Sequence, residues 1–375
     1  MNRRERYIET IKFGKPDRIP LHPGWPREST LAAWRGQGLD EGADFVSAAQ
    51  GELGIPHESY IPFCHLHVNF GMIPEYEVKI LEHRDGHYVI SDHMGAITEI
   101  SDAFDASYLR SAKDFVTRKW HKFPVETRED WKKMMLRYDP KTPGRVSESA
   151  ALAYEKNKGA DVVYNITFNG VFWQLREWCG MENLCMLMLD DPVLVDEMSE
   201  FWREFVLEVF ELMFGRMIPD RALINEDMAY KAHSMISPAM TRRFILPAYR
   251  KWVARLKRGG ASVIEVDSDG HIGELIPLWI EEGIDCCSPL EVAAGNDIVD
   301  FRRRFGKNMA FMQGIDKRVI ARGKAELERH VDEIVPPLFK DGGFIPGCDH
   351  GVPPDISWPN YVEFVRLLAK KSGWL

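Results

Sequence analysis

The sequence predicts an α/β fold, a (β/α)8 barrel of the TIM type with an inserted antiparallel β-meander. Three observations predict it. After about residue 160, short apolar runs of strand length alternate with longer helical patterns, as parallel strands joined by helices require. Six such units, with two early strand candidates, come to eight, which favours a closed barrel over an open sheet. Polar and acidic residues gather just after the runs, where the active-site face of such a barrel lies.

Residues 2 to 13 read as an amphipathic helix stopped by Gly14 and Pro16, and Asp17 to Leu21 as a turn into a first strand near 18–22. The next stretch, His22-Pro23-Gly24-Trp25-Pro26-Arg27-Glu28, is too rich in Pro and Gly for regular structure and reads as a loop at a strand end. Arg27 there either clamps an anionic ligand or pairs with Glu28, the simpler reading. A second early strand lies within 56–70, where His65-x-His67 has a spacing that a strand could use for metal, although packing explains such histidines more simply. Tyr60, Phe63 and Phe70 are pocket candidates. From Tyr76 to Ile100 the period becomes two, with turns at Asp85-Gly86 and Met94-Gly95, which gives a three-stranded meander. Residues 104 to 160 read as a mostly helical covering segment. The whole chain, 1–375, is read as one barrel domain with these additions.

The regular half offers strands at Val162–Phe168, Ala222–Glu226, Ala261–Val266, Ile284–Ser288, Met309–Gly314 and Gly343–Pro346. Helical patterns follow at 171–188, 191–215, 238–256, 272–282, 297–305, 319–340 and 358–371, with N-cap signals at Ser237-Pro238 and Ser357. The pivotal stretch is Val263 to His271, where a buried strand ends in Asp267 and Asp269, a Gly and a His. The two carboxylates fall on one side of an extended chain; capping of the next helix by Asp269 is the competing explanation. Other strand ends carry Asn169, Glu226-Asp227, Glu291, Lys317 and Cys348-Asp349-His350. Such a mouth suits a metal held by Asp267, Asp269 and Cys348, with Glu226 a further ligand or proton relay. It also suits acid catalysis by a carboxyl whose pKa is raised by crowding. Cys286 and Cys287 are adjacent and lie within a strand, so they read as packing residues.

A net charge of -9 with no basic run argues against nucleic-acid binding. No apolar run approaches the ~18 residues of a membrane span, and the basic start lacks an apolar signal core. Six Cys without a secretory signal suggest reduced thiols, and the expectation is a cytoplasmic protein. The absence of GxGxxG after a strand and of GxxxxGK[ST] leaves dinucleotide and P-loop readings without support.

Three segments carry a resemblance to a known family: R-E-R-Y-I-E-T-I-K-F-G-K-P-D-R-I-P near the start, I-S-P-A-M-T-R-R-F-I-L-P-A-Y at 236–249, and G-G-F-I-P-G-C-D-H-G-V-P-P-D-I-S at 342–357. On these the chain resembles the uroporphyrinogen decarboxylase superfamily, whose fold is the (β/α)8 barrel. The superfamily includes tetrapyrrole decarboxylases and methyltransferases that serve corrinoid proteins. Its decarboxylases carry paired arginines in the loop that here contains only Arg27, and an acidic mouth would repel a substrate with many carboxylates. Its methyltransferases hold zinc through His-x-Cys and a late Cys, positions that fall on Asp267-x-Asp269 and Cys348. The resemblance therefore implies a corrinoid-dependent methyltransferase of the O-demethylase type, which moves a methyl group from a methoxylated, aromatic small molecule to the Co(I) corrinoid of a partner protein. Zinc, or a proton from Asp267, Asp269 or His350, would assist the leaving oxygen. Trp25, Arg27, Tyr60, Phe63 and Phe168 are the substrate-binding expectations, and a homodimer is what the resemblance suggests. The alternative is a cofactor-free decarboxylase of a small organic acid or tetrapyrrole-like substrate.

Overall fold

The computed structural model describes residues 1–104 and 117–375. Seven parallel strands form one curled sheet in chain order: β1 (Phe63–His65), then β6 (Val163–Asn169), β7 (Arg221–Asn225), β8 (Val263–Asp267), β9 (Cys286–Ser288), β10 (Ala310–Met312) and β11 (Phe344–Ile345). The segment around Leu21 is joined to its neighbours by single bridges, Leu21 to Tyr60 on one side and Pro26 to Val352 on the other. It therefore contributes bridges where the pattern of eight units predicts a full strand. Pro20, Pro23 and Pro26 lack the N–H groups that a continuous ladder needs.

Side-chain alternation sorts the strands' residues into two cores. Val163, Val263, Cys286, Ala310, Met312 and Ile345 face inward, where Tyr7 and Ile11 of the helix Arg3–Ile11 pack against them. That helix starts with a capping box between Asn2 and Glu5. The residues of opposite parity, among them Ile166, Ile224, Ile264, Val266 and Phe344, meet the surrounding helices in the larger core.

The helices lie where their periodicity puts them, with breaks the sequence explains. Gly180 divides Val171–Cys179 from Met181–Asp190. Pro247 cannot donate to a carbonyl one turn back, and a π-helical turn over Thr241–Ile245 precedes Leu246–Gly259. Among the described residues no helix is long and apolar enough to cross a membrane.

The antiparallel sheet has four strands where three are predicted: β2 (Lys79–Arg84), β3 (His87–Ser91), β4 (Ile97–Ser101) and β5 (Lys119–Lys122), in that order. The fourth comes from K-W-H-K, too short a run to show its period in the sequence, and it pairs with β4 at Thr98–Trp120. Within the expected helical segment 104–160, helices occupy Arg128–Met135 and Glu148–Asn157, while 105–116 lie outside the described residues.

Candidate active site

The C-terminal ends of the central strands carry a polar rung fixed by strand register. Asn169 pairs with Asn225, Asn225 with Asp267, and Asp267 with Ser288, so four inward-facing polar residues stand side by side. Two residues earlier on β8, Glu265 is wholly buried. Its carboxylate accepts from Arg221 Nε at 2.7 Å and from Ser288 Oγ at 2.6 Å. Arg221 also donates to Asn165 Oδ1 at 3.2 Å. A buried acid and its guanidinium thus support the rung from below. Burial, reinforced by the charges of Asp227 and Asp269, drives the Asp267 carboxyl well above the usual carboxylate range.

Above the rung the loops converge. His350 Nε2 lies 3.3 Å from Asp269 Oδ2, and that hydrogen bond raises the imidazole pKa. Glu291 accepts from Lys317 Nζ at 3.0 Å and from the Gly270 N–H at 3.0 Å. Gly270 has φ +79, and a Cβ there would lie 2.5 Å from the Ala229 carbonyl oxygen, so the close turn that presents Asp269 demands glycine. Asp349 joins the two loops that bring Glu291 and Lys317 together, because its oxygens accept from the Val292 and Lys317 N–H groups, each at 2.9 Å. Asp227 accepts from the Asp269 N–H at 3.0 Å. Burial and the neighbouring Asp269 push its carboxyl up to about 6.

Asp269, Glu291 and His350 each offer a ligand atom within 4.8 Å of the others. Two carboxylates and an imidazole that converge from three loops fit a divalent ion such as zinc, with room for an exogenous ligand. This trio differs from the expected Asp267, Asp269 and Cys348. Cys348 is wholly buried in the larger core and belongs to no such trio among the described residues. Asp267 lies on the rung beneath the trio. His65 instead meets Asn165 Nδ2 through Nδ1 at 2.8 Å, and His65 and His67 belong to no such trio among the described residues.

Glu226 does not face the mouth. It is wholly buried on the helical side of β7, where Oε1 accepts from the Trp173 N–H at 3.1 Å and Oε2 accepts from the Tyr249 hydroxyl. A Cβ at Gly170 would lie 1.8 Å from Glu226 Oε2, so this carboxyl caps the helix Val171–Cys179 through a gap only glycine leaves. Burial pushes its pKa from 4.5 to about 7. The folded state therefore holds this proton more tightly. The resulting stability is complete below about pH 4.5 and is lost as the pH rises through about 7. Glu226→Gln keeps an acceptor for Trp173 and removes the ionisation. The unfolding free energy of the natural chain relative to this variant should fall by roughly 3 kcal/mol across that window. Denaturant titrations at several pH values measure it, and a flat difference would contradict the assignment.

The expected substrate-binding residues separate into two groups. Trp25 is 55% exposed beside the loop after β11, where its carbonyl accepts from the Val352 N–H at 2.9 Å, and Arg27 reaches toward Gly351. Trp25 and Tyr60 share a mainly apolar cleft with His22 and Phe45, and the buried Tyr60 hydroxyl has no hydrogen-bond partner. Phe63, by contrast, is level with Val163, six residues and roughly 20 Å below the end of β6, where it packs with Tyr7 beneath Arg221. Phe168 packs against Phe70, Phe210 and Trp252 between sheet and helices, away from the mouth. Glu291 and Lys317 stand in the sequence only as two strand-end residues among several. The crossing of their loops is what selects them.

A family model described as uroporphyrinogen decarboxylase (URO-D) matches residues 173–370, just over half of the chain. No curated protein matches the sequence. Among solved structures, a methyltransferase from Methanosarcina mazei is similar over 99% of both chains, with TM-score 0.59 and 12% identity. A putative vitamin-B12 independent methionine synthase from Listeria monocytogenes covers 94% of this chain and 96% of its own, with TM-score 0.36 and 10% identity, too distant to bear on the fold.

Proposed function

The chain belongs to the uroporphyrinogen decarboxylase family, and on that footing we propose that it is a methyltransferase of the corrinoid-dependent, O-demethylase type. Its substrate would be a small methoxylated aromatic, and the methyl acceptor a reduced corrinoid carried by a partner protein. The observation that carries the proposal is the trio Asp269, Glu291 and His350 at the mouth, with Lys317 hydrogen-bonded to Glu291. Aryl ethers are poor leaving groups, and the transfer needs an electrophile where negative charge develops on the departing oxygen. A divalent ion held by Asp269, Glu291 and His350 would supply Lewis acidity at that oxygen.

The chain's own residues do the rest. Asp349 keeps the Glu291 and Lys317 loops in register, and Lys317 brings a positive charge to an otherwise acidic mouth. Trp25, exposed beside the loop after β11, offers an apolar surface near the mouth for a flat ring. The Asn169–Asn225–Asp267–Ser288 rung forms a polar floor. In the balanced step the methyl–oxygen bond breaks, the methyl goes to the acceptor, and the oxygen leaves as a phenoxide that takes a proton from solvent. Closure of the parallel sheet into a full barrel by the Leu21–Pro26 segment belongs to the same proposal, supported by its bridges on both sides.

The test is incubation of the protein, purified without chelator, with methoxylated aromatics and a chemically reduced corrinoid, while corrinoid methylation is followed by absorbance. Methylation that requires about one divalent ion per chain, and is lost with Glu291→Gln, is expected. No methylation across such a panel would overturn the proposal. Release of carbon dioxide from small organic acids without corrinoid would put the decarboxylase in its place, with Lys317 as the cation that seats the carboxylate.

A further inference from the structure

The opposite face of the sheet carries a second cleft that the mouth chemistry does not use. It lies where chain segments enter the strands: the turn after the first helix, the turn before β10, the Gly342-Gly343 approach to β11, and the end of the chain at 371–373. Its volume of about 460 Å³ falls in the range of small-molecule sites.

Its lining is basic in a chain whose net charge is -9. Lys15, Arg18, Lys307, Lys340 and Lys371 contribute to it, against Asp17 and Asp341. Asp17 is already neutralised, with Arg6 Nε and Nη2 at 2.8 and 2.9 Å. Lys371 is turned to Asp332 at 2.5 Å, and Arg18 lies over the Trp374 ring at 4.8 Å. Among the described residues no ion pair engages the ammonium groups of Lys15, Lys307 or Lys340. Lys340 ends a helix, where a cation complements the dipole without any ligand. Lys15 and Lys307 stand in loops and have no such reason to be there.

An independent observation comes from Ser372. It lines the cleft, is only 4% exposed, and its hydroxyl has no hydrogen-bond partner. A buried hydroxyl without a partner is uncommon, and an anionic oxygen reaching it from a cleft also lined by lysines would give it an acceptor.

We infer that this cleft binds a multiply charged phosphate-type anion. Several separated cations call for more than one negative charge, and phosphate oxygens accept from ammonium and hydroxyl donors alike. The site is remote from the mouth and would act on the anchoring of the chain's two ends, which meet there: Trp374 Nε1 donates to the Ile19 carbonyl at 2.7 Å.

Calorimetric titration of the full chain with inorganic pyrophosphate tests the inference. Saturable one-to-one binding is expected, weakened at least tenfold by joint Lys307→Ala and Lys340→Ala replacement and several-fold by Ser372→Ala. A parallel titration with adenosine diphosphate separates sources: equal affinity points to the free anion, and tighter binding to a nucleotide that carries it. Either supports the site. Absence of saturable binding, or affinity unchanged in both variants while their circular dichroism matches the natural chain, would overturn it.

Discussion

On the proposed function, Asp269→Ala should abolish methyl transfer, by at least roughly a thousandfold in kcat, and leave the fold in place. The side chain is 40% exposed and meets His350 across the mouth, so its loss opens no cavity. The loop stays anchored by the Asp269 N–H to Asp227 and the Gly270 N–H to Glu291, which are backbone donors that the substitution keeps. Removal of one carboxylate also takes the trio below three ligands, so divalent-ion content should fall with activity. The measurement is single-turnover methylation together with metal analysis and a urea melt. A variant that turns over at the natural rate would remove Asp269 from the chemistry. One that fails to fold would show that the acid is structural.

Glu265→Leu should be the most destabilising single change, at roughly 3–5 kcal/mol, because it leaves the Arg221 guanidinium buried without its carboxylate. Among the described residues Arg221 would retain only Asn165 Oδ1 as a polar partner, and Ser288 Oγ would lose its acceptor. The effect comes from the uncompensated charge rather than from lost volume. Joint Glu265→Leu and Arg221→Met replacement should therefore recover most of the loss, since a buried ion pair exchanged for apolar residues of similar size is often close to neutral. Urea unfolding of both variants measures this. A double variant no more stable than Glu265→Leu would mean that the pair does more than neutralise itself, and the polar rung above it would be the first place to look.

The same strands show which parts of the site the sequence could have revealed. Alternation is strict in them: Val163 and Asn165 face inward while Tyr164, Ile166 and Phe168 pack outward, so parity alone separates Asn169 from Phe168. The same count carried along β7 puts Asn225 on the rung and Glu226 on the helical side, where it caps a helix instead of meeting substrate. Cys348, three residues past the last strand, has the parity of Phe344, and both lie in the larger core. The expected metal set and the trio share Asp269, and Cys348 is set apart from it by this parity. Strand-end position is legible in the sequence, whereas the direction of each side chain beyond the strand depends on the loop that follows.

The sequence by itself determined the order of strands and helices, because apolar period and Gly/Pro punctuation are local properties. It also determined that polar groups collect after the strands, and that Asp267 and Asp269 share a loop entrance. Only the tertiary structure decided which of those groups meet. Asp269, Glu291 and His350 come from loops that are distant in the chain, and their approach depends on the Gly270 turn and on the Asp349 hydrogen bonds. It likewise decided that Glu226 is buried as a cap and that K-W-H-K completes a sheet. The physical reason is shared: local patterns record what each segment does alone, while convergence, burial and charge pairing depend on neighbours that only the folded chain supplies.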